Sequence, residues 1–129
     1  MIPKKFSIEK IPSYGPYSTC VIVDNFLFVS GQIAVDPKTG KLISDTIEIE
    51  TKKIMENLKI ILLENKIGFQ NVIKTSIFVK NMNHFSKINK IYSCFFHKGH
   101  YPARETIQVS GLPKNANIEI SLIAYIKIN

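Results

Sequence analysis

The chain predicts an α+β domain: two amphipathic helices on one face of a mixed, mostly antiparallel sheet. Short β-branched and aromatic runs alternate with two stretches of helical apolar period, in the order strand, strand, helix, strand, helix, strand, strand. At 129 residues there is enough chain for one buried core and too little for two, so residues 1–129 read as a single domain. The balance of 45% hydrophobic to 21% charged residues is that of an ordinary globular domain. No apolar run approaches the roughly 18 residues needed to span a bilayer.

Taken in order, an irregular N-terminal segment closes at Gly15-Pro16. Thr19 to Val23 and Phe26 to Ser30 are strand-forming runs separated by Asp24-Asn25, a hairpin signal. Asp36-Pro37-Lys38-Thr39-Gly40 is turn chemistry. Asp45 is the expected N-cap of the first helix, with Glu48 three residues on as in a capping box. Ile47, Ile54, Met55, Leu58, Ile61 and Leu62 share one face of that helix, which is expected to stop at Gly68. Val72 to Lys80 is a strand, and Asn81 or Asn83 caps a second helix with a stripe of Phe85, Ile88, Tyr92, Phe95 and Phe96. Thr106 to Gly111 and Ile118 to Ile128 complete the sheet.

Alternation along the last strand sends Ile118, Ile120, Leu122, Ala124, Ile126 and Ile128 toward the helices. Glu119, Ser121, Ile123, Tyr125 and Lys127 take the other face. In the strand before it, Ile107 and Val109 are expected to face the helices, leaving Arg104, Thr106, Gln108 and Ser110 beside Glu119. That second face is too apolar for simple solvation, and a second copy of the chain is expected to cover it.

Charge usage singles out one residue. Of 17 basic residues, 16 are Lys and one is Arg, Arg104 in Tyr101-Pro102-Ala103-Arg104-Glu105. A guanidinium meets a carboxylate or phosphate with two parallel hydrogen bonds, which an ammonium cannot do. Arg104 is therefore a candidate anion anchor, the alternative being a structural ion pair. The net charge of +7 is spread over scattered lysines without a basic run, in a chain also rich in Ile and Asn, so nucleic acid is not the expected partner. Cys94, His97 and His100 are spaced for metal ligation but lack a fourth ligand, so no metal is expected. The N-terminus has no apolar block after its lysines, which argues against a signal peptide. With two cysteines far apart in sequence, the expected compartment is the cytoplasm.

Six strings in this order resemble the RidA (YjgF-type) family: Gly15-Pro16-Tyr17-Ser18, Ser30-Gly31-Gln32-Ile33, Asp36-Pro37-Lys38-Thr39-Gly40, Val79-Lys80, Tyr101-Pro102-Ala103-Arg104 and Ile118-Glu119-Ile120. The resemblance runs from Ile11 to Ile128. It implies a chorismate-mutase-like subunit in a homotrimer with the open sheet face inward, and active sites in the clefts between subunits. It also implies hydrolysis, without a cofactor, of 2-imino acids such as 2-iminobutanoate and 2-iminopropanoate to 2-keto acids and ammonia.

By the same resemblance, Arg104 holds the substrate carboxylate and Glu119 contacts the attacking water. Tyr17, Ser30, Gly31 and Asn89 match positions lining the cleft. Thr106 stands where the family commonly has Cys, which excludes thiol chemistry there. For each residue a plainer role stays open: an interface ion pair for Glu119, a satisfied core amide for Asn89, packing for Tyr17, a turn bond for Ser30. Two other functions are also compatible with these residues, a non-catalytic binder of small keto acids and an RNA-interacting translation inhibitor.

Overall fold

The computed structural model describes residues 2–126, so the expected strand positions Lys127 and Ile128 lie outside the described residues. Six strands form one sheet: β1 (Lys4–Phe6), β2 (Cys20–Val23), β3 (Phe26–Gln32), β4 (Val72–Val79), β5 (Ala103–Gln108) and β6 (Ile118–Tyr125). Their order across the sheet is β1-β2-β3-β6-β4-β5, and every pairing is antiparallel except β4 with β5. Helices α1 (Ile47–Glu64) and α2 (Phe85–Ser93) cover one face. The β4–β5 pair is parallel because α2 serves as the crossover between them.

The α1 stripe is buried as expected, with Ile54, Leu58, Ile61 and Leu62 wholly inaccessible. Beneath it lie Leu27 and Val29 of β3, Ile77 and Val79 of β4, and Ile118, Ile120, Leu122 and Ala124 of β6. The helix ends differ from expectation. Thr46, not Asp45, is the N-cap, its hydroxyl accepting from the Ile49 N–H at 3.1 Å. Three adjacent residues, Ser44, Asp45 and Thr46, all suit a cap, and only the backbone path chooses among them. At the other end Lys66 takes the left-handed φ of 62°, and its N–H and that of Ile67 bond back to Leu63 and Leu62. The helix thereby stops before Gly68, on a Schellman-type closure made by a lysine.

Three further differences bear on function. β1 is an added edge strand that the polar Lys4-Lys5 did not suggest. β5 and β6 are not neighbours, since β4 lies between them. Most important, β5 has the opposite facing. Arg104, Thr106 and Gln108 pair with Thr75, Ile77 and Val79, the helix-side residues of β4, whereas Ile107 pairs with Phe78 on the open side and is 47% exposed. The physical reason is what α2 offers above β5. That part of α2 presents Phe85, Asn89 and Tyr92, which suit a guanidinium better than an aliphatic chain, while Ile107 finds Phe78 across the open face. Phe85, expected in the buried stripe, is accordingly 40% exposed. The open face as a whole carries Phe26, Phe28, Ile107 and Tyr125, all more than a third exposed.

One buried carboxylate fixes the entry to β6. Glu50 of α1 has no exposed surface, and its two oxygens accept from the backbone N–H and side-chain amide of Asn117, each at 2.8 Å. Removing it strands two donors in the interior. Glu50→Ala is expected to lower unfolding stability by about 2–4 kcal/mol in urea denaturation. A loss below about 1 kcal/mol would mean that water replaces the carboxylate there.

Candidate active site

Glu119 stands where a bulge in β3 brings its backbone close. Val29 pairs with Leu122 and Gln32 with Ile120, so three steps on β3 match two on β6 and the extra residue falls at Ser30-Gly31. A β-carbon built on Gly31 lies 2.6 Å from both Cδ and Oε2 of Glu119, so only glycine leaves that carboxyl its place. Gly31→Ala is expected to fold but to push the carboxyl aside. For a hydrolase of 2-imino acids, which the resemblance implies, the check is a cooperative melt beside a more than tenfold fall in turnover. An unchanged rate would show that the carboxyl position does not matter.

Glu119 lines a pocket of about 320 Å³ together with Tyr14, Tyr17, Ser30, Ile33 and Pro113. Its carboxyl is half buried, and desolvation pushes its pKa above the ordinary 4.5. The folded chain therefore binds this proton more tightly than the unfolded chain. The associated stability is present below the unfolded pKa and is lost as pH rises through the raised folded value. Glu119→Gln, which cannot ionise, is expected to melt higher than the native chain at neutral pH, with the difference shrinking as pH falls toward 4. A constant difference across the pH series would remove the ionisation cause.

Tyr17 and Ser30 reach this pocket with part of their polar capacity used. The Tyr17 hydroxyl accepts from the Tyr14 N–H at 3.2 Å, in an exposed setting. The Ser30 hydroxyl donates to the Ser18 carbonyl at 2.6 Å, the turn role left open from the sequence.

Arg104 is elsewhere. It lies under α2 with its guanidinium carbon 5.4 Å from the Phe85 ring centre and 5.0 Å from that of Tyr92. Tyr92 is held in turn by a 2.8 Å bond between its hydroxyl and that of Thr75, inside the core. Burial raises the Tyr92 pKa, against the opposing pull of that bond and of Arg104, so the ring stays a neutral phenol beneath the cation. Among the described residues no carboxylate lies within ion-pair distance of Arg104. Asn89, Tyr101 and Pro102 join it around a second pocket of about 280 Å³. The Asn89 Oδ1 and the Thr106 Oγ1 are both buried with no hydrogen-bond partner among the described residues. A guanidinium without an ion pair and an unsatisfied amide oxygen lining one pocket call for a polar ligand.

The sequence-predicted residues thus fall into two groups that one chain does not bring together. Glu119 pairs with Phe78 of β4 and Arg104 with Thr75, three residues apart and so on opposite faces of the sheet. The expectation that both share a face is corrected here. Tyr17, Ser30, Gly31 and Glu119 form one half, and Asn89, Arg104 and Thr106 the other. Sequence reasoning missed the cage residue Tyr92 as part of the site; its helical spacing from Phe85 and Asn89 was the available signal. Glu105, on the open face, is occupied by Ser76 at 2.7 Å and Lys74 at 3.3 Å, which hold its pKa below the usual value. Cys94, the exposed thiol, donates to the Lys90 carbonyl at 3.3 Å. No helix among the described residues is long and apolar enough to cross a membrane.

Residues 7–126 match the model of the family described as Endoribonuclease L-PSP. The human 2-iminobutanoate/2-iminopropanoate deaminase is 39% identical over 125 residues, covering 96% of this chain and 90% of that one. A RutC family protein of Pyrococcus abyssi is 43% identical over 118 residues, with 91% and 92% covered. The crystal structure of E. coli TdcF with bound serine superposes with a TM-score of 0.88 at 34% identity, covering 96% of this chain and 99% of TdcF.

Proposed function

Because the chain belongs to the Endoribonuclease L-PSP (YjgF/RidA) family, we propose that it hydrolyses small 2-imino acids to 2-keto acids and ammonia in clefts between copies of itself. The observation that carries this reading is the division of the site. One face ends in an uncommitted, aromatic-caged guanidinium, and the other in a desolvated carboxyl at an open pocket. Each lacks what the other supplies. A homotrimer joining the Arg104 half of one copy to the Glu119 half of the next completes three sites and covers the apolar open face.

In such a cleft the Arg104 fork grips the substrate carboxylate, and the rings of Phe85 and Tyr92 fix the plane of that fork. Asn89 Oδ1 accepts from the imine N–H, and the Thr106 hydroxyl donates to a carboxylate oxygen or a water. Glu119, as carboxylate, takes a proton from water while the water oxygen bonds to C2 of the protonated imine. The C=N π pair moves to nitrogen, giving a carbinolamine. Glu119 then delivers its proton to that nitrogen. The hydroxyl oxygen forms C=O as its proton passes back to Glu119, the C–N bond breaks and ammonia leaves, and Glu119 returns that proton, the one the imine brought, to solvent. The balance is one imine and one water to one ketone and one ammonia. No metal or organic cofactor takes part in these steps.

The test is to generate 2-iminobutanoate in place with a threonine dehydratase and to trap surviving imine with semicarbazide. Hydrolysis predicts less trapped product with this protein present. Thr106 supports a second reading, a binder of 2-keto acids that does not turn over imines, since the thiol common at that position is missing. That reading predicts an unchanged yield of trapped product together with thermal stabilisation by 2-oxobutanoate.

A further inference from the structure

The loop that lines one side of the Glu119 pocket holds two side-chain-bearing residues in a backbone region that favours glycine. Lys114 has φ 55° and ψ 24°, and Asn115 has φ 58°. Each left-handed residue costs about 1 kcal/mol or more, so the surrounding bonds must enforce it. They are present: Lys80 Nζ donates to Asn115 Oδ1 at 2.6 Å, the Lys80 N–H donates to the Asn117 carbonyl at 3.0 Å, and Glu50 clamps Asn117. The result is an ammonium at the pocket wall. Lys114 Nζ lies 4.5 Å from the Tyr14 ring centre and 3.4 Å from the Gly40 carbonyl, with no carboxylate within ion-pair distance among the described residues.

Lys114 is the one cation among the residues lining that pocket. The other walls are largely apolar: Tyr14, Tyr17, Ile33 and Pro113. On one chain the pocket measures about 320 Å³ and opens outward, toward the neighbouring copy that the proposed cleft requires. A single cation in a wall otherwise built of apolar side chains, Ser30 and Glu119 suits a substrate side chain that ends in an anion.

We infer that Lys114 is a specificity-determining residue of this site, receiving a second carboxylate on the substrate side chain and so extending the substrate class to 2-imino dicarboxylic acids. The inference rests on the cleft reading above. Arg104 of one copy takes the carboxylate next to the imine, Glu119 of the other takes the water, and the side chain is left to the pocket that Lys114 lines.

The experiment is calorimetric titration of 2-oxobutanoate and 2-oxoglutarate, one carboxylate against two, into the native protein, Lys114→Met, Lys114→Gly and Arg104→Lys. Both Lys114 variants are expected to lose about tenfold in affinity for 2-oxoglutarate and less than about threefold for 2-oxobutanoate. Lys114→Gly, which relaxes the backbone, is expected to melt above Lys114→Met with the same selective loss. Equal losses for the two ligands, no loss for either, or a native protein that ignores 2-oxoglutarate overturns the role of Lys114. In those cases binding of 2-oxobutanoate that Arg104→Lys abolishes leaves the cleft reading standing. A native protein that binds neither ligand removes both.

Discussion

Arg104→Lys is expected to lower kcat/KM for 2-imino acid hydrolysis about a hundredfold while the protein still melts cooperatively within a few degrees of the native chain. A lysine keeps the charge, so whatever is lost measures geometry. The guanidinium is a plane held by two rings, at 5.4 Å from Phe85 and 5.0 Å from Tyr92, and in the proposed cleft its fork takes the substrate carboxylate. An ammonium in the same cage has one rotating point of donation and no plane to stack. Arg104 has no ion pair to lose among the described residues, and a lysine keeps a cation beneath the same rings, so the cost to folding should be small. The loss should divide between KM and kcat, because a carboxylate held at one point leaves the imine carbon free to swing away from the water. Semicarbazide trapping at several imine concentrations separates the two. A variant that keeps more than about a third of native kcat/KM would take the anchoring role from Arg104.

How far the site was legible in the sequence follows from which forces are local. Strands β2, β3, β4 and β6 and the existence of both helices are set by alternation, helical period and turn residues within a few positions of each other, but α2 runs only from Phe85 to Ser93, with Asn81 capping the short turn before it and Phe95 and Phe96 beyond its end. The isolated Arg104 and the Gly31 beside Ser30 were legible as chemistry for the same reason. The facing of β5 was not. Ile107 and Val109 look like core residues, but β5 is an edge strand under the polar and aromatic part of α2, and its inward side is decided by that non-local neighbour. Nor does any local pattern say that β6 inserts between β3 and β4. That one insertion separates Arg104 from Glu119 by a strand, and the reversed facing places them on opposite sides of the sheet. The error in reading one strand therefore hid the main feature of the site, its division into halves.

That division makes a prediction with a larger contrast than any single substitution. Arg104→Lys and Glu119→Gln each damage one half, so homogeneous preparations of either should work near background. In an assembly that contains both variants, some clefts join the intact Arg104 half of a Glu119→Gln chain to the intact Glu119 half of an Arg104→Lys chain. In a homotrimer that holds both variants, one of the three clefts joins two intact halves, so about one third of native activity should return. Co-expression of the two variants with different affinity tags, followed by tandem purification, yields the mixed assemblies for the trapping assay. A site built within one chain allows no such recovery, since every chain in the mixture carries one damaged half. Activity that stays near background in verified mixed assemblies would therefore return Arg104 and Glu119 to separate roles. Recovery near one third would require that the reaction takes place between chains, with each cleft drawing on two neighbours.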